Sequence, residues 1–273
     1  MVVEQEIRIH DGRYVVLPPF VDAQEGLANT QTPDLSVADT SQQYPLGTTY
    51  VDGDRVFKYC AFKGTINPDL GAKDSQPQSV AFTTIAAAAL QYATTVVIDV
   101  AGTDGIAGDG VIAVDYLAGG YLVVFDASSK MFTRMIKSNT VTSGAGEMTL
   151  ELTDPIPVAL VTDTDHAECM ASPYSYLTTS TSEKYAVVGM AQLVYTSGEF
   201  GWVQVAGPTW IAPQAAVGSG SNNRICIFRH DGSIDELDYS DAANSKGQIA
   251  GYVMQNAQAG GQGAAFIQLQ ITR

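Results

Sequence analysis

The chain of 273 residues is short of charge, above all of positive charge. Lysine and arginine number 14 against 29 aspartates and glutamates, for a net charge of −15. Charged residues make up 16% of the chain, where soluble proteins average about 25%. No run of even three basic residues occurs. Phosphate backbones are held by clustered cations that release counterions, so nucleic acid is excluded as a partner. Anionic membrane surfaces are excluded on the same ground. The three cysteines, Cys60, Cys169 and Cys226, are far apart and form no C-x-x-C pair. Neither a zinc site nor a disulfide framework follows, and reduced thiols are the expectation. No apolar run reaches the 18 or so residues of a membrane span. The opening "MVVEQEIRIH" carries charge where a secretory leader has its apolar stretch, so folding in a cytoplasm is expected.

What is present is apolar residue at 45%, enough for a sizeable core, and a polar remainder of Thr, Ser, Gln, Asn and Gly. A surface of that kind suits extended contact with other subunits, because few charges need desolvation. The runs "TTVVIDV", "GVIAVDYL", "GGYLVVFDAS", "KMFTRMIKS" and "EMTLELTDPIPVAL" follow one another across short Gly, Asp and Ser turns. Such spacing predicts a sandwich or barrel. Asp52-Gly53-Asp54 and Asp231-Gly232 are hairpin turns by composition. The run of four alanines within residues 79–93 predicts the one helix, against β-branched flanks. The expected fold class is therefore all-β, with β-sandwich or β-barrel domains and an extended N-terminal arm. The boundaries fall at 1–54 for the arm, 55–162 for one β domain, 163–183 for a linker and 184–273 for a C-terminal β domain.

The arm holds four prolines and no sustained periodicity, yet keeps Phe20, Val21, Leu27, Leu35, Val37, Tyr44 and Leu46 at scattered positions. Two readings fit. The apolar positions lie on a neighbouring subunit or another surface, or the segment packs as a meandering loop on its own domain.

Catalytic constellations are scarce. The three histidines, His10, His166 and His230, are far apart. Residues 163–169 ("DTDHAEC") group Asp163, Asp165, His166, Glu168 and Cys169, ligand types that zinc or a harder cation accepts. Their spacing matches no established metal pattern, and a solvated acidic connection explains them. Asp104 and Asp109 flank glycines in "DGIAGDG", but without the spacing of a calcium loop. His230-Asp231 offers a base and an orienting acid, although Asp-Gly is turn chemistry first. No nucleophile elbow, P-loop or dinucleotide fingerprint occurs. No catalytic residue, metal site or cofactor is assigned, and the chain is not expected to be an enzyme.

Both tryptophans fall in "FGWVQVAGPTWIA", residues 200–212. On a strand over 200–206, Phe200, Trp202 and Gln204 share one face, with Gly201, Val203 and Val205 on the other. Gly207-Pro208 is expected to stop the ladder and bring Trp210 back over the sheet. Phe200, Trp202 and Trp210 are then structural core. A carbohydrate-stacking platform would instead want exposed rings with polar, often acidic, neighbours.

The stretch "VVGMAQLVYTSGEFGWVQVAGPTWIA" resembles a pattern of structural proteins from tailed-bacteriophage heads: a "VG.A" strand, a short turn, then "G.WVQ..GP". "YPLGTTYVDGDRVFKYCAF" and "LAGGYLVVFDASSKMFTRMIKSN", with "LTDPIPVAL" downstream, are similar to the same group. Together they span roughly residues 45–270, and the first 45 residues match no pattern of the group. The resemblance implies a head decoration (cement) protein on the capsid exterior, which binds the major capsid protein and stabilises contacts between capsomers. It further implies a β-rich homotrimer, and it carries no catalytic residues or cofactor. Two alternatives remain: a tail or fibre component with a receptor-binding module, and a metal-dependent hydrolase using Asp163, Asp165 and His166.

Overall fold

Alternation of inward apolar and outward residues marks strands such as Thr95–Val100 and Gly146–Leu152. The computed structural model describes residues 5–8, 12–21, 32–74, 76, 79–128, 130–179, 185–213, 217, 224–238, 247–255 and 266–271. Among them are twenty strands and no helix. None of the described residues forms a helix long and apolar enough to cross a membrane. The first strands are β1 (Gln5–Arg8), β2 (Tyr14–Leu17), β3 (Thr49–Asp52), β4 (Arg55–Ala61) and β5 (Gly71–Asp74). Next come β6 (Val80–Ala87), β7 (Thr95–Val100), β8 (Val111–Ile112), β9 (Tyr121–Asp126), β10 (Lys130–Asn139), β11 (Thr142–Ser143), β12 (Gly146–Leu152) and β13 (His166–Met170). The last are β14 (Leu177–Thr178), β15 (Val187–Ala191), β16 (Phe200–Trp210), β17 (Ile225–Phe228), β18 (Ile234–Glu236), β19 (Gln248–Val253) and β20 (Phe266–Gln270).

The chain divides into two units, residues 76–173 with 1–5 and 18–26, and residues 6–17 with 27–75 and 174–273. The first is a closed barrel in the order β10-β12-β7-β6-β13-β9, beside the small pair β8-β11. Its strands send alternate residues inward: Val96, Ile98 and Val100 from β7, Leu122 and Val124 from β9, and Met148, Leu150 and Leu152 from β12. Closure leaves no open edge.

The second unit is a twelve-stranded sheet with β1-β2-β3-β4-β16-β20-β19-β17-β18 as its main path, to which β15, β5 and β14 are added. Strand β16 is its spine. It pairs with β4 over Phe200–Ala206, with β15 at Val203 and Gln204, and with β20 over Ala206–Trp210. Both faces of its first half are buried. Cys60, Phe62, Ile66, Tyr195, Val203 and Val205 pack on one side. On the other, Trp202 is 2% exposed. Around its indole stand Tyr44 and Tyr59, each 5.1 Å away, and Tyr50 at 5.7 Å. Edge-on and tilted contacts of this kind suit the ring quadrupoles. Tyr195 locks the strand, since its hydroxyl donates to Trp202 O and accepts from Trp202 N, both at 3.0 Å. Gly201 is needed there because a Cβ would run into the Tyr195 ring.

Four expectations change. Residues 79–93 form no helix: β6 takes Val80–Ala87, because pairing with β7 and β13 on either side overrides the alanine preference. Residues 163–183 are not a linker throughout, since His166–Met170 is the strand that closes the barrel between β6 and β9. The boundary at residue 54 also moves, because β4 and β5 pair with β16 and β15 and so belong with the C-terminal strands. The described part of residues 1–54 is not an extended arm. Strands β2 and β3 continue the sheet through β4. Asp39 exchanges 2.9 Å backbone bonds with Phe200, and Asp39 Oδ2 accepts from Tyr59 Oη at 2.6 Å. Of its apolar positions, Val15, Leu35, Tyr44 and Leu46 are drawn to the Trp202 cluster, where burial stabilises them over exposure to solvent.

Replacing Trp202 with alanine is expected to lower unfolding free energy by roughly 3–5 kcal/mol in urea titrations, the usual cost of emptying a large aromatic site.

Candidate functional site

Trp202 is buried in its cluster, whereas the second tryptophan lies further along β16, where the burial pattern changes. Gly207-Pro208 does not stop β16. Pairing continues as Gly207 to Leu269, Pro208 to Gln268 and Trp210 to Phe266. Past Ala206 strand β4 no longer pairs, so proline's missing N–H falls on a stretch with one partner strand. Gly207 has φ +98°, and a Cβ there would meet the Asp54 and Arg55 backbone. Register shifts between Gln204 and Ala206, and from there alternation sends Thr209 inward and Trp210 outward. Trp210 is thus 49% exposed and is not core, a correction to its expected place.

Around Trp210 the cross-strand pairs assemble an uncharged aromatic face. Phe266 stands opposite Trp210, and Met254 N bonds Phe266 O at 3.1 Å. The neighbouring row runs Pro208, Gln268, Tyr252 and Ile225 over four strands. Trp210, Phe266, Met254, Tyr252 and Ile225 are all exposed. None of the side chains in these two rows is charged, although the chain carries −15.

The expected contact residues lie elsewhere and scatter. Tyr44, at 5% exposed, is core, with Leu35 and Leu46 packed against its cluster. Val37 is 53% exposed. Phe20 and Val21 are half-buried in the barrel unit, and Leu27 lies outside the described residues, as does His10. Of the three expected core aromatics, Trp202 is buried and Phe200 packs half-buried against the same cluster.

Strand alternation separates the acidic cluster. His166 and Glu168 point out of the barrel, while Ala167 and Cys169 point into its core. Asp165 is buried, and its carboxylate accepts from Ala127 N at 2.8 Å and Val161 N at 2.7 Å. Among the described residues no group of three or more His, Cys, Asp or Glu is placed to hold a metal ion. Asp104 likewise accepts from Ala101 N and Ala81 N, and Asp109 from Val111 N. Asp231 serves its turn: burial would raise its carboxyl, but hydrogen bonds from Ser233 hold it below the usual range. All three cysteines are free and buried. Burial pushes each thiol up, that of Cys226 to about 12. No nucleophile is therefore activated among them, since the thiolate is the reactive form.

No protein-family model matches the chain, and neither a curated protein nor a solved structure matches it.

At concentrations where the protein is monomeric, replacing Trp210 with serine is expected to change stability by no more than about 0.5 kcal/mol, as for other surface sites; a loss on the scale of Trp202→Ala would put Trp210 back in the core. Iodoacetamide at pH 8 is expected to label none of the three cysteines in the native protein and all three in denaturant, read by intact mass.

Proposed function

We propose that this chain is a structural contact protein of a virus particle: a decoration protein on the outside of a tailed-phage head that ties capsomers together. Its partners are the major capsid protein and further copies of itself, arranged as a homotrimer, and it catalyses no reaction. The observation that carries this reading is the Trp210 face. Tryptophan, phenylalanine, tyrosine and methionine without charge make up the composition of an interface core, where Lys, Asp and Glu are depleted. Elsewhere the strongly negative chain repels its own copies, so this face is where they meet at least electrostatic cost. The likeness of residues 44–62, 117–139 and 187–212 to phage-head proteins supports the particular setting. Symmetry-linked contacts, each weak, would raise one another's effective concentration and brace the shell.

A second reading draws on the same face. Trp210, Phe266 and Tyr252 are exposed rings on one sheet surface, the feature that a receptor-binding tail or fibre component requires.

Two measurements test these readings. Mass spectrometry of particles from the virus encoding this chain is expected to find it in purified heads, at a constant ratio to the major capsid protein. Finding it only in tails favours the second reading, and absence from both sinks both. Light scattering of the purified protein is expected to give about 87 kDa, three times the 28.9 kDa chain mass, falling toward the monomer in Trp210→Ser with Phe266→Ser.

A further inference from the structure

A different aromatic cluster lies on the outside of the barrel, and unlike the Trp210 face it has carboxylates beside it. Alternation along β6 is broken where register shifts opposite Glu168: Ala167 pairs with Thr83, but Cys169 pairs with Val80. That bulge turns two consecutive residues, Ala81 and Phe82, to solvent. Bulges commonly re-aim a side chain beside a functional site. Phe82 is 59% exposed. Its ring stacks on the His166 imidazole with centroids 4.5 Å apart and planes 10° apart, and stands 5.4 Å from Phe125 at 52°. Direct pairing extends the row through Thr84, His166, Phe125 and Met131, the last also exposed.

Acids flank this row. Thr84 Oγ1 donates to Asp99 Oδ2 at 2.5 Å, and Asp99 is paired across the strands with Glu147. Glu168 lies on the other side, opposite the bulge. Among the described residues no ion pair involves Asp99, Glu147 or Glu168. An exposed ring with carboxylates on either side attracts a cation, and the chain's −15 strengthens that preference. Arginine fits better than a compact ammonium, being planar, weakly hydrated and able to stack on a ring while pairing with a carboxylate. Phe125 and Met131 give apolar neighbours a surface to cover, and methionine adapts to varied shapes.

We infer that this face of the barrel docks a protein segment bearing an arginine. The guanidinium lies on the side of Phe82 turned away from His166, Glu168 is its carboxylate partner, and flanking apolar residues rest on Phe125 and Met131. The inference extends the contact reading by giving one face a partner chemistry, and it holds for any particle the chain joins.

The test uses the full chain with its histidine rings isotope-labelled. Two peptides are titrated in, acetyl-Gly-Leu-Arg-Leu-Gly-amide and the same peptide with neutral citrulline in place of arginine. The arginine peptide is expected to shift the His166 ring signals and to bind about fivefold tighter than its counterpart, as a cation on an aromatic face requires. Phe82→Ala is expected to remove the shift. Glu168→Gln, which leaves the core untouched, is expected to weaken binding by a similar factor. No shift of His166 at millimolar peptide, or equal binding of the citrulline peptide, overturns the inference. Either result leaves the head reading standing if heads contain the chain, so the two fail separately.

Discussion

Burial of β16 on both faces is the constraint from which the second unit follows. A strand covered on both sides must satisfy its backbone through neighbours and fill both faces with matching volume. Trp202 does this on one side with Tyr44, Tyr50 and Tyr59. Val203 and Val205 do it on the other with Phe62 and Tyr195. Three partner strands meet β16, so the hairpin of β3 and β4, the β15 strand and the C-terminal β20 all take their register from it. Even residues 39–44 are fixed by it, through Phe200 and the Tyr59 hydroxyl.

Irregularity then decides what each unit shows to the outside. A shift between Gln204 and Ala206, with the backbone turned at Gly207, separates the buried tryptophan from the exposed one on a single strand. A bulge in β6 leaves two consecutive residues, Ala81 and Phe82, outside the barrel. Large rings left in water forgo the burial that would stabilise the fold by about 25 cal/mol per Å². Two such clusters lie on sheet faces, one around Trp210 and one around Phe82. Ionisable groups serve structure instead: carboxylates of Asp104, Asp165 and Asp231 accept local hydrogen bonds, and the thiols are sealed in cores.

Much of this was legible in the residues. Val96, Ile98 and Val100 alternate with Thr95, Val97 and Asp99, so β7 could be read directly, as could the turns at Gly53 and Gly232. The buried place of Trp202 followed from its neighbours on the strand. Other features were hidden. Nothing local marks residues 32–48 as part of a core, because Leu35, Tyr44 and Leu46 find their partners in strands that follow them in the chain. The Phe82 cluster was missed because its members come from three strands, β6, β9 and β13, and because a bulge leaves no periodic trace. Its one available signal was the phenylalanine beside the polar, β-branched pair Thr83-Thr84 in "VAFTTI".

The sequence by itself determined the all-β class, most strand positions, the turn chemistry and a surface poor in positive charge. These depend on interactions within a few residues or on composition. Tertiary structure alone decided that β13 closes a barrel, that the N-terminal strands belong to the C-terminal sheet, and that one tryptophan is core while the other faces water. Each of these depends on which distant strand pairs with which, and in what register. A single-residue shift exchanges the inside of a sheet for the outside.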